Sequence, residues 1–302
     1  MSENLLTENI PFSVAMSVYK NDSPAQLREA LVSICEQSYP AAEIYLVVDG
    51  PIPEELDNII LEFAEKYGNF TINRLQENKG LGNALRIAVK NCKNDLILRM
   101  DSDDISAPGR FEKQIKAYLE EPADVIGGWT LGFVGDLQMG KVSSAKRKLT
   151  HQEIIKVIRK KSPMSHVTVM FRKEAVLKAG NYQDLFYHED YYLWIRMIQA
   201  GCTFRNIPEY LVYVRLGENQ ARRHGGLKYY KAGTFLRKYM LKHKIMSFGS
   251  YVKETAIRIV YQLLIPASFR NYLAMKLKRK ALTRAEVEAI LQENITYTTN
   301  KQ

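Results

Sequence analysis

The chain is short of cysteine, of long apolar runs and, over one stretch, of acid. Its three cysteines, Cys35, Cys92 and Cys202, are widely spaced and form no CxxC pair. That excludes a disulfide-stapled scaffold and a cysteine zinc site, and reads as buried thiols of a reducing compartment. The longest uncharged apolar stretch, residues 259–269, falls well below the about 20 residues a spanning helix needs. The first residues, MSENLLTENIPFSV, offer neither a basic n-region nor an apolar core, so no secretory signal is expected. These absences point to a protein that is soluble or bound to a membrane surface rather than one that crosses it. What is present is ordinary globular material: 46% hydrophobic and 25% charged residues exclude disorder and collagen. A chain of 302 residues is long enough for one large α/β domain with an appendage, or for two small domains.

Acid is scarcest at residues 222–284, where 16 Lys/Arg face the single acid Glu254, whereas residues 1–221 hold 26 Lys/Arg against 29 Asp/Glu. The net charge of +10 is therefore concentrated in one C-terminal segment. Such a field attracts phosphates, whether of nucleic acid, anionic lipid or a diphosphate substrate. The change in character places a boundary after residue 221, with residues 1–221 as the main domain and 222–302 as a basic helical extension.

The first 104 residues alternate strand and helix signals, as βαβ units do. Strands are expected at Phe12–Tyr19, Glu43–Asp49, Phe70–Leu75 and Asp95–Met100, with helices at Pro24–Ile34, Pro53–Tyr67 and from Gly80. Further on, strands are expected at Val125–Gly135 and Val167–Arg172 and helices at Thr150–Lys160 and Asp190–Ala200. In open parallel sheets ligands bind outside the strands' carboxyl ends, and here those ends carry Tyr19-Lys20-Asn21, Asp49-Gly50 and Asp101-Ser102-Asp103-Asp104.

Alternate residues of an extended segment point the same way, so Asp101 and Asp103 can present two carboxylates together, an oxygen set that suits Mg²⁺ or Mn²⁺. The plainer reading is an acidic turn capping the next helix; its place at the end of an apolar strand favours the metal. Asp49-Gly50 reads equally as a turn or as a carboxylate that accepts a nucleobase N–H. The segment Asn78-Lys79-Gly80-Leu81-Gly82-Asn83 is a glycine-rich helix start whose N–H groups and lysine can meet a phosphate. It is neither GxGxxG nor a Walker loop, so neither a nicotinamide cofactor nor ATP hydrolysis is indicated.

Taken in order, SVYKN (17–21), VVDG (47–50), NKGLGNA (78–84), RMDSDD (99–104), SHVTVMFR (165–172) and HEDYYLW (188–194) resemble the successive motifs of family 2 glycosyltransferases. The likeness covers residues 10–225 and points to the bacterial exopolysaccharide and O-antigen branch, amylovoran-type enzymes included. It implies an α/β GT-A fold, with a Rossmann-like, mostly parallel central sheet flanked by helices. It also implies that Asp49 binds uracil and that the backbone around Ser17 and Tyr19 cradles the nucleoside. Lys79, Gly80, Asn83 and Ser102 fall in the donor site, Asp101 contacts ribose or metal, and Asp103 is a metal ligand for Mn²⁺ or Mg²⁺. The base that takes the acceptor proton lies in the pair Glu189–Asp190, with Asp190 preferred; one base opposite the leaving group implies inversion. The plainer, less favoured reading is an acidic helix start interacting with the macrodipole, and the two roles are compatible. His166 either touches the donor diphosphate or acceptor, or is structural. Arg222, Arg223 and His224 either fold over the diphosphate, with His224 completing the metal shell, or form a solvated basic surface. Trp194 either borders the acceptor or is core.

Aromatic and aliphatic residues interleave with the C-terminal cations, as in helices that lie on anionic membranes. No RRM, KH or helix-turn-helix signature accompanies them, so no nucleic-acid partner is expected. The reading is an enzyme that moves a hexose from a nucleotide-sugar, UDP-linked by expectation, onto a polyprenyl-diphosphate-linked saccharide. It would work peripherally, at the cytoplasmic face of the inner membrane, in surface-polysaccharide biosynthesis. Two rivals are a sugar nucleotidyltransferase, which lacks its phosphate loop after the first strand here, and a non-catalytic membrane- or nucleic-acid-binding protein on a nucleotide fold.

Overall fold

The computed structural model describes residues 9–217, 226–266, 269 and 280–299. Its centre is four parallel strands in the order β3 (Phe70–Arg74), β2 (Glu43–Val48), β1 (Phe12–Val18) and β4 (Leu96–Asp101). Strands buried on both faces read as continuous apolar runs, and β2 is buried at every position. Alternate side chains of β1 divide between two cores. Val14, Met16 and Val18 pack with Leu27 and Leu31 of α1 (Pro24–Cys35) and with Leu56 and Ile60 of α2 (Glu54–Tyr67). Ala15 faces the other side, where Ala84, Leu85 and Ala88 of α3 (Leu81–Asn91) cover the sheet. The register sets Ser17 opposite both Val47 and Asp101. The polar ends of β1, β2 and β4 therefore finish at one edge.

Beyond β4 the sheet turns antiparallel. The chain runs through β5 (Ile105–Ser106), α4 (Arg110–Glu120), β6 (Val125–Val134), β7 (Lys141–Ala145), α5 (His151–Ile158), a 3₁₀ turn (His166–Thr168) and β8 (Met170–Arg172). It continues through α6 (Lys173–Lys178), α7 (Glu189–Gln199) and β9 (Phe204–Arg215). Strand β8 lies between β4 and β6, and β7 follows β6. Strand β9 runs parallel to β6 and antiparallel to β5.

Two local outcomes differ from the sequence pattern. Only Met170–Arg172 of the expected 167–172 strand joins the sheet. The fully buried Arg110 donates from Nη2 to the carbonyls of Arg99 (2.9 Å) and Val167 (3.0 Å), and Gln114 Nε2 donates to those of Ile126 (3.1 Å) and Thr168 (2.9 Å). Those carbonyls satisfy side chains instead of a neighbouring strand. Strand β9 was not anticipated. It pairs with β6 across register shifts around Gly128–Trp129, where a Cβ on Gly128 would lie 2.5 Å from Leu211 Cδ1.

The C-terminal helices pack on this frame. Helix α8 (Gly226–Lys242) buries Leu236 and Met240 beside Tyr192 and Trp194 of α7. Helix α9 (Phe248–Ile259) has no buried residue. After the short β10 (Lys280–Ala281), α10 (Arg284–Thr299) inserts Val287 into a third cluster. Its Asn294 accepts from Lys113 Nζ (2.8 Å) and donates to Tyr213 Oη (2.9 Å). No helix among the described residues is long and apolar enough to cross a membrane.

Candidate active site

The end of β4 gathers acid. Carboxylate oxygens of Asp101, Asp103 and Asp104 all lie within 4.8 Å of one another, close enough for one cation to reach all three. An all-oxygen set of this kind fits a hard divalent ion such as Mg²⁺ or Mn²⁺. Asp101 is gripped by the guanidinium of Arg99, which is itself buried in β4. Asp104 is buried and accepts the Arg215 N–H at 2.9 Å; burial and the charges of Asp101 and Asp103 push its carboxyl well up. Ser102 Oγ donates to Asp22 at 2.7 Å, and Asp22 also accepts from the Tyr19 N–H at 3.1 Å. Asp22 is pushed up to about 6, first by burial and then by the nearby Asp103 and Asp101. Like-charged carboxylates crowded in a desolvated pocket resist ionisation unless a cation joins them.

Beside them Asp49 is buried and accepts from the Lys79 N–H (2.7 Å) and the Gly80 N–H (2.9 Å), one on each oxygen. It thus first organises the Asn78–Gly80 loop; two further lone-pair directions remain to a carboxylate so bonded. Gly50 makes this approach possible: its φ is +87°, and a Cβ there would sit 2.6 Å from the Asn78 nitrogen. Gly50→Ala is accordingly expected to destabilise the protein by about 2 kcal/mol or more. A thermal melt measures that loss, and UDP titration of the folded fraction measures the accompanying loosening of the 78–80 loop.

The start of α7 lies against the start of α3, next to the loop that Asp49 organises. A Cβ on Gly82, at the start of α3, would stand 3.3 Å from Glu189 Cβ, so the two helix starts abut. Asp190 accepts from Ser162 Oγ at 3.1 Å. Burial raises both carboxyls, Glu189 to about 7 with a further push from Asp190. Arg99 opposes the rise in both, and Glu189 also feels Asp101. Arg99 therefore grips Asp101 and also favours the ionised form of the acidic pair.

Glu189 gives a test with a definite sign. Below the ordinary carboxyl range, folded and unfolded chains are both protonated and this group contributes nothing. Between that range and about 7, only the unfolded chain ionises, so stability falls as pH rises. Glu189→Gln is expected to raise the Tm at pH 8 and to leave it nearly unchanged at pH 4; equal Tm values at pH 8 would remove burial as the cause.

The remaining sequence candidates fall as follows. Ser17 and Tyr19 are half-buried at the end of β1, beside the acidic centre. Lys79 is exposed, and Asn83 donates to the Lys79 carbonyl at 2.7 Å. His166 Nε2 meets Tyr182 Oη at 2.7 Å, and burial and Arg99 hold its imidazole well below the usual value. Trp194 is wholly buried and belongs to the core. Arg222, Arg223 and His224 lie outside the described residues. Sequence reasoning missed Asp22, Asp104 as a third carboxylate, and Arg99 as the partner of Asp101. The signals were present in DSDD and in a cation inside an apolar strand.

The fold resembles that of S. aureus TarS 1-349, solved in complex with UDP-GlcNAc: TM-score 0.63 and 17% identity over 89% of this chain and 76% of that one. Among curated relatives, the Escherichia coli UDP-Gal:alpha-D-GlcNAc-diphosphoundecaprenol beta-1,3-galactosyltransferase is 33% identical, covering 90% of this chain and 98% of its own length. The Erwinia amylovora amylovoran biosynthesis glycosyltransferase AmsE is 34% identical, covering 88% and 98%. Fold and site together define a GT-A glycosyltransferase, an enzyme that transfers sugar from a nucleotide-sugar. The chain belongs to glycosyl transferase family 2, whose pattern matches residues 13–180. Its relatives build lipid-linked sugars, amylovoran and O-antigen, and divalent-metal use is general in this fold.

Proposed function

We propose that the chain is an inverting hexosyltransferase. It moves the sugar of a UDP-hexose onto a hydroxyl of a polyprenyl-diphosphate-linked saccharide during bacterial surface-polysaccharide assembly. The observation that carries this reading is the gathering of the Asp101, Asp103 and Asp104 carboxylates at the end of β4, together with the abutting starts of α3 and α7 that bring in the acidic pair. The first suits a departing diphosphate and the second an attacking hydroxyl. Asp49 and the ends of β1 and β2 hold the nucleoside, Asp101 and Asp103 hold the metal, and Asp190 takes the acceptor proton as the oxygen attacks. Those carboxylates would hold a divalent cation, whose contribution when bound would be to neutralise charge developing on a departing diphosphate. Arg99 fixes the Asp101 carboxylate and eases ionisation of Asp190, so that it works as a base. The undecaprenol-linked substrate in the name of the E. coli relative supports the acceptor class.

The test is a panel of nucleotide-sugars offered with a synthetic sugar-diphosphate-lipid, with and without Mn²⁺, following nucleoside diphosphate release and the product's anomeric configuration. UDP release with inversion, dependent on metal, is expected. Release of pyrophosphate, or retention, would replace the reading.

An exposed apolar stripe on α9 supports a peripheral position at a membrane surface, which we assign to the cytoplasmic face. Phe248, Val252 and Ile259 share one side of this helix and are 70%, 49% and 39% exposed. Such a stripe, with Lys253 near it, suits a bilayer surface, an anionic one adding about 1 kcal/mol per nearby cation. Replacing the three by serine is expected to lower the partition into anionic vesicles at least tenfold in a sedimentation assay; unaltered partition would place the membrane contact elsewhere.

A further inference from the structure

A cavity of about 660 Å³ opens between the 145–162 segment, the start of α7 and helices α8 and α9, with Asp190 in its wall. Its charge is lopsided. Asp190 and Glu254 are the carboxylates of its lining, against seven Lys and Arg side chains. Four of these cations form two like-charged pairs: Lys161 feels the charge of Arg147, and Arg237 that of Arg258. Burial, the larger cause, pushes Arg147, Lys161 and Arg237 below their ordinary values. Among the described residues, none of the four lies within ion-pair distance of a carboxylate. Their hydrogen bonds go to neutral groups. Arg147 Nε donates to Ser165 Oγ at 2.8 Å, Arg258 to the Lys160 carbonyl at 3.1 Å, and Arg237 to Thr234 and Thr255 at 2.8 and 3.2 Å.

Desolvating several like charges is costly; Asp190 offsets Arg147 and Glu254 offsets Arg237 only in part, since both cations still sit below their ordinary values, and a bound anion relieves the rest. The rest of the wall is apolar: Leu236, Met240 and Met246 are almost fully buried, and Ile257 stands at the margin. Helix α9 links this wall to the surface. Glu254, Ile257 and Arg258 line the cavity, while Phe248, Val252 and Ile259 project from the opposite side of the same helix.

We propose that this cavity is the acceptor's diphosphate site. Arg147, Lys161, Arg237 and Arg258 clamp a prenyl-linked diphosphate there, so that the sugar beyond it reaches Asp190. This deepens the function proposed above and rests on it for the identity of the acceptor. Binding of the diphosphate group, however, is a property of the cavity alone. The consequence is selectivity: a saccharide on a diphosphate-lipid is used, and the same saccharide as a neutral alkyl glycoside is used poorly.

The experiment titrates the full chain with farnesyl diphosphate, with inorganic pyrophosphate and with anionic vesicles carrying no diphosphate, each without nucleotide and in EDTA. Farnesyl diphosphate is expected to bind tighter than pyrophosphate, and UDP with Mn²⁺ should not displace it. Arg258→Ala and Lys161→Ala are each expected to weaken it at least tenfold, with Arg258→Lys recovering part of the loss. Arg258 is half-buried on a helix with no buried residue, so its variants test the idea even if Arg147→Ala fails to fold.

Unchanged affinity in both alanine variants, displacement by UDP, or an equal loss of vesicle binding would each overturn the proposal. In the transfer assay, the same variants should raise the KM for a sugar-diphosphate-lipid at least tenfold and leave the donor KM alone. If they bind farnesyl diphosphate weakly but the wild type glycosylates no diphosphate acceptor, the cavity assignment stands and the functional reading falls. If transfer is normal in the variants, the reverse holds.

Discussion

Asp103→Ala is expected to lower kcat/KM for sugar transfer by at least about 10³ while leaving the melting temperature close to that of the parent. The size follows from the task of the metal. Charge neutralisation on a departing diphosphate accounts for several kcal/mol of barrier, and about 4 kcal/mol is about 10³ in rate. The mildness toward the fold follows from placement: Asp103 is half-exposed at the strand end, whereas Asp104 is buried and Asp101 is gripped by the buried Arg99. Removing Asp101 strips the buried Arg99 of its partner, and an orphaned buried cation destabilises by about 3–5 kcal/mol. Asp101→Ala should therefore lose stability as well as activity, and the contrast isolates the metal's role. Calorimetry of UDP with Mn²⁺ supplies the second readout: Asp103→Ala should lose the metal-dependent part of the affinity, and EDTA should reduce the wild type to the same value. Transfer within tenfold of the wild-type rate would remove Asp103 from the ligand set.

How much of this was legible in the sequence follows from how local each feature is. Strands β1, β2 and β4 declare themselves because burial on both faces leaves predominantly apolar runs. The acidic end of β4 is read in the same glance because it is contiguous. The pair Glu189–Asp190 is legible as a helix start, its electrostatics only in part: Arg99 reads as one polar residue inside DLILRM, and its effect on the pair arises only in the folded chain. Strand β9 was hidden because Arg205, Asn206, Pro208 and Glu209 interrupt its alternation, and the bulge at Gly128–Trp129 that accommodates it lies almost 80 residues upstream. Long-range pairing overrides weak local preference there. The cationic cavity was least visible. Its wall comes from three distant stretches of chain, and the basic excess after residue 221 does not reveal that Arg147 and Lys161 share a space with Arg237 and Arg258.

Asp190→Asn is expected to reduce kcat by 10²–10⁴, the usual span for loss of a positioned base, with little change in the KM for either substrate. The amide keeps the shape of the carboxylate and its contact with Ser162, so folding and substrate placement should survive, and the loss falls on the chemical step. The pH profile identifies the group. A base works only when ionised, so kcat/KM rises with pH along its acid limb. Because burial raises the Asp190 carboxyl, that limb should stand above the ordinary carboxylate range and disappear in Asp190→Asn. Glu189→Gln should behave differently. Glu189 and Asp190 oppose each other's charge, so neutralising Glu189 eases ionisation of its neighbour and moves the limb to lower pH, with kcat falling by less than tenfold. The reverse pattern, a large loss in Glu189→Gln and a small one in Asp190→Asn, would transfer the base to Glu189. It would leave Asp190 as the group that sets that residue's charge.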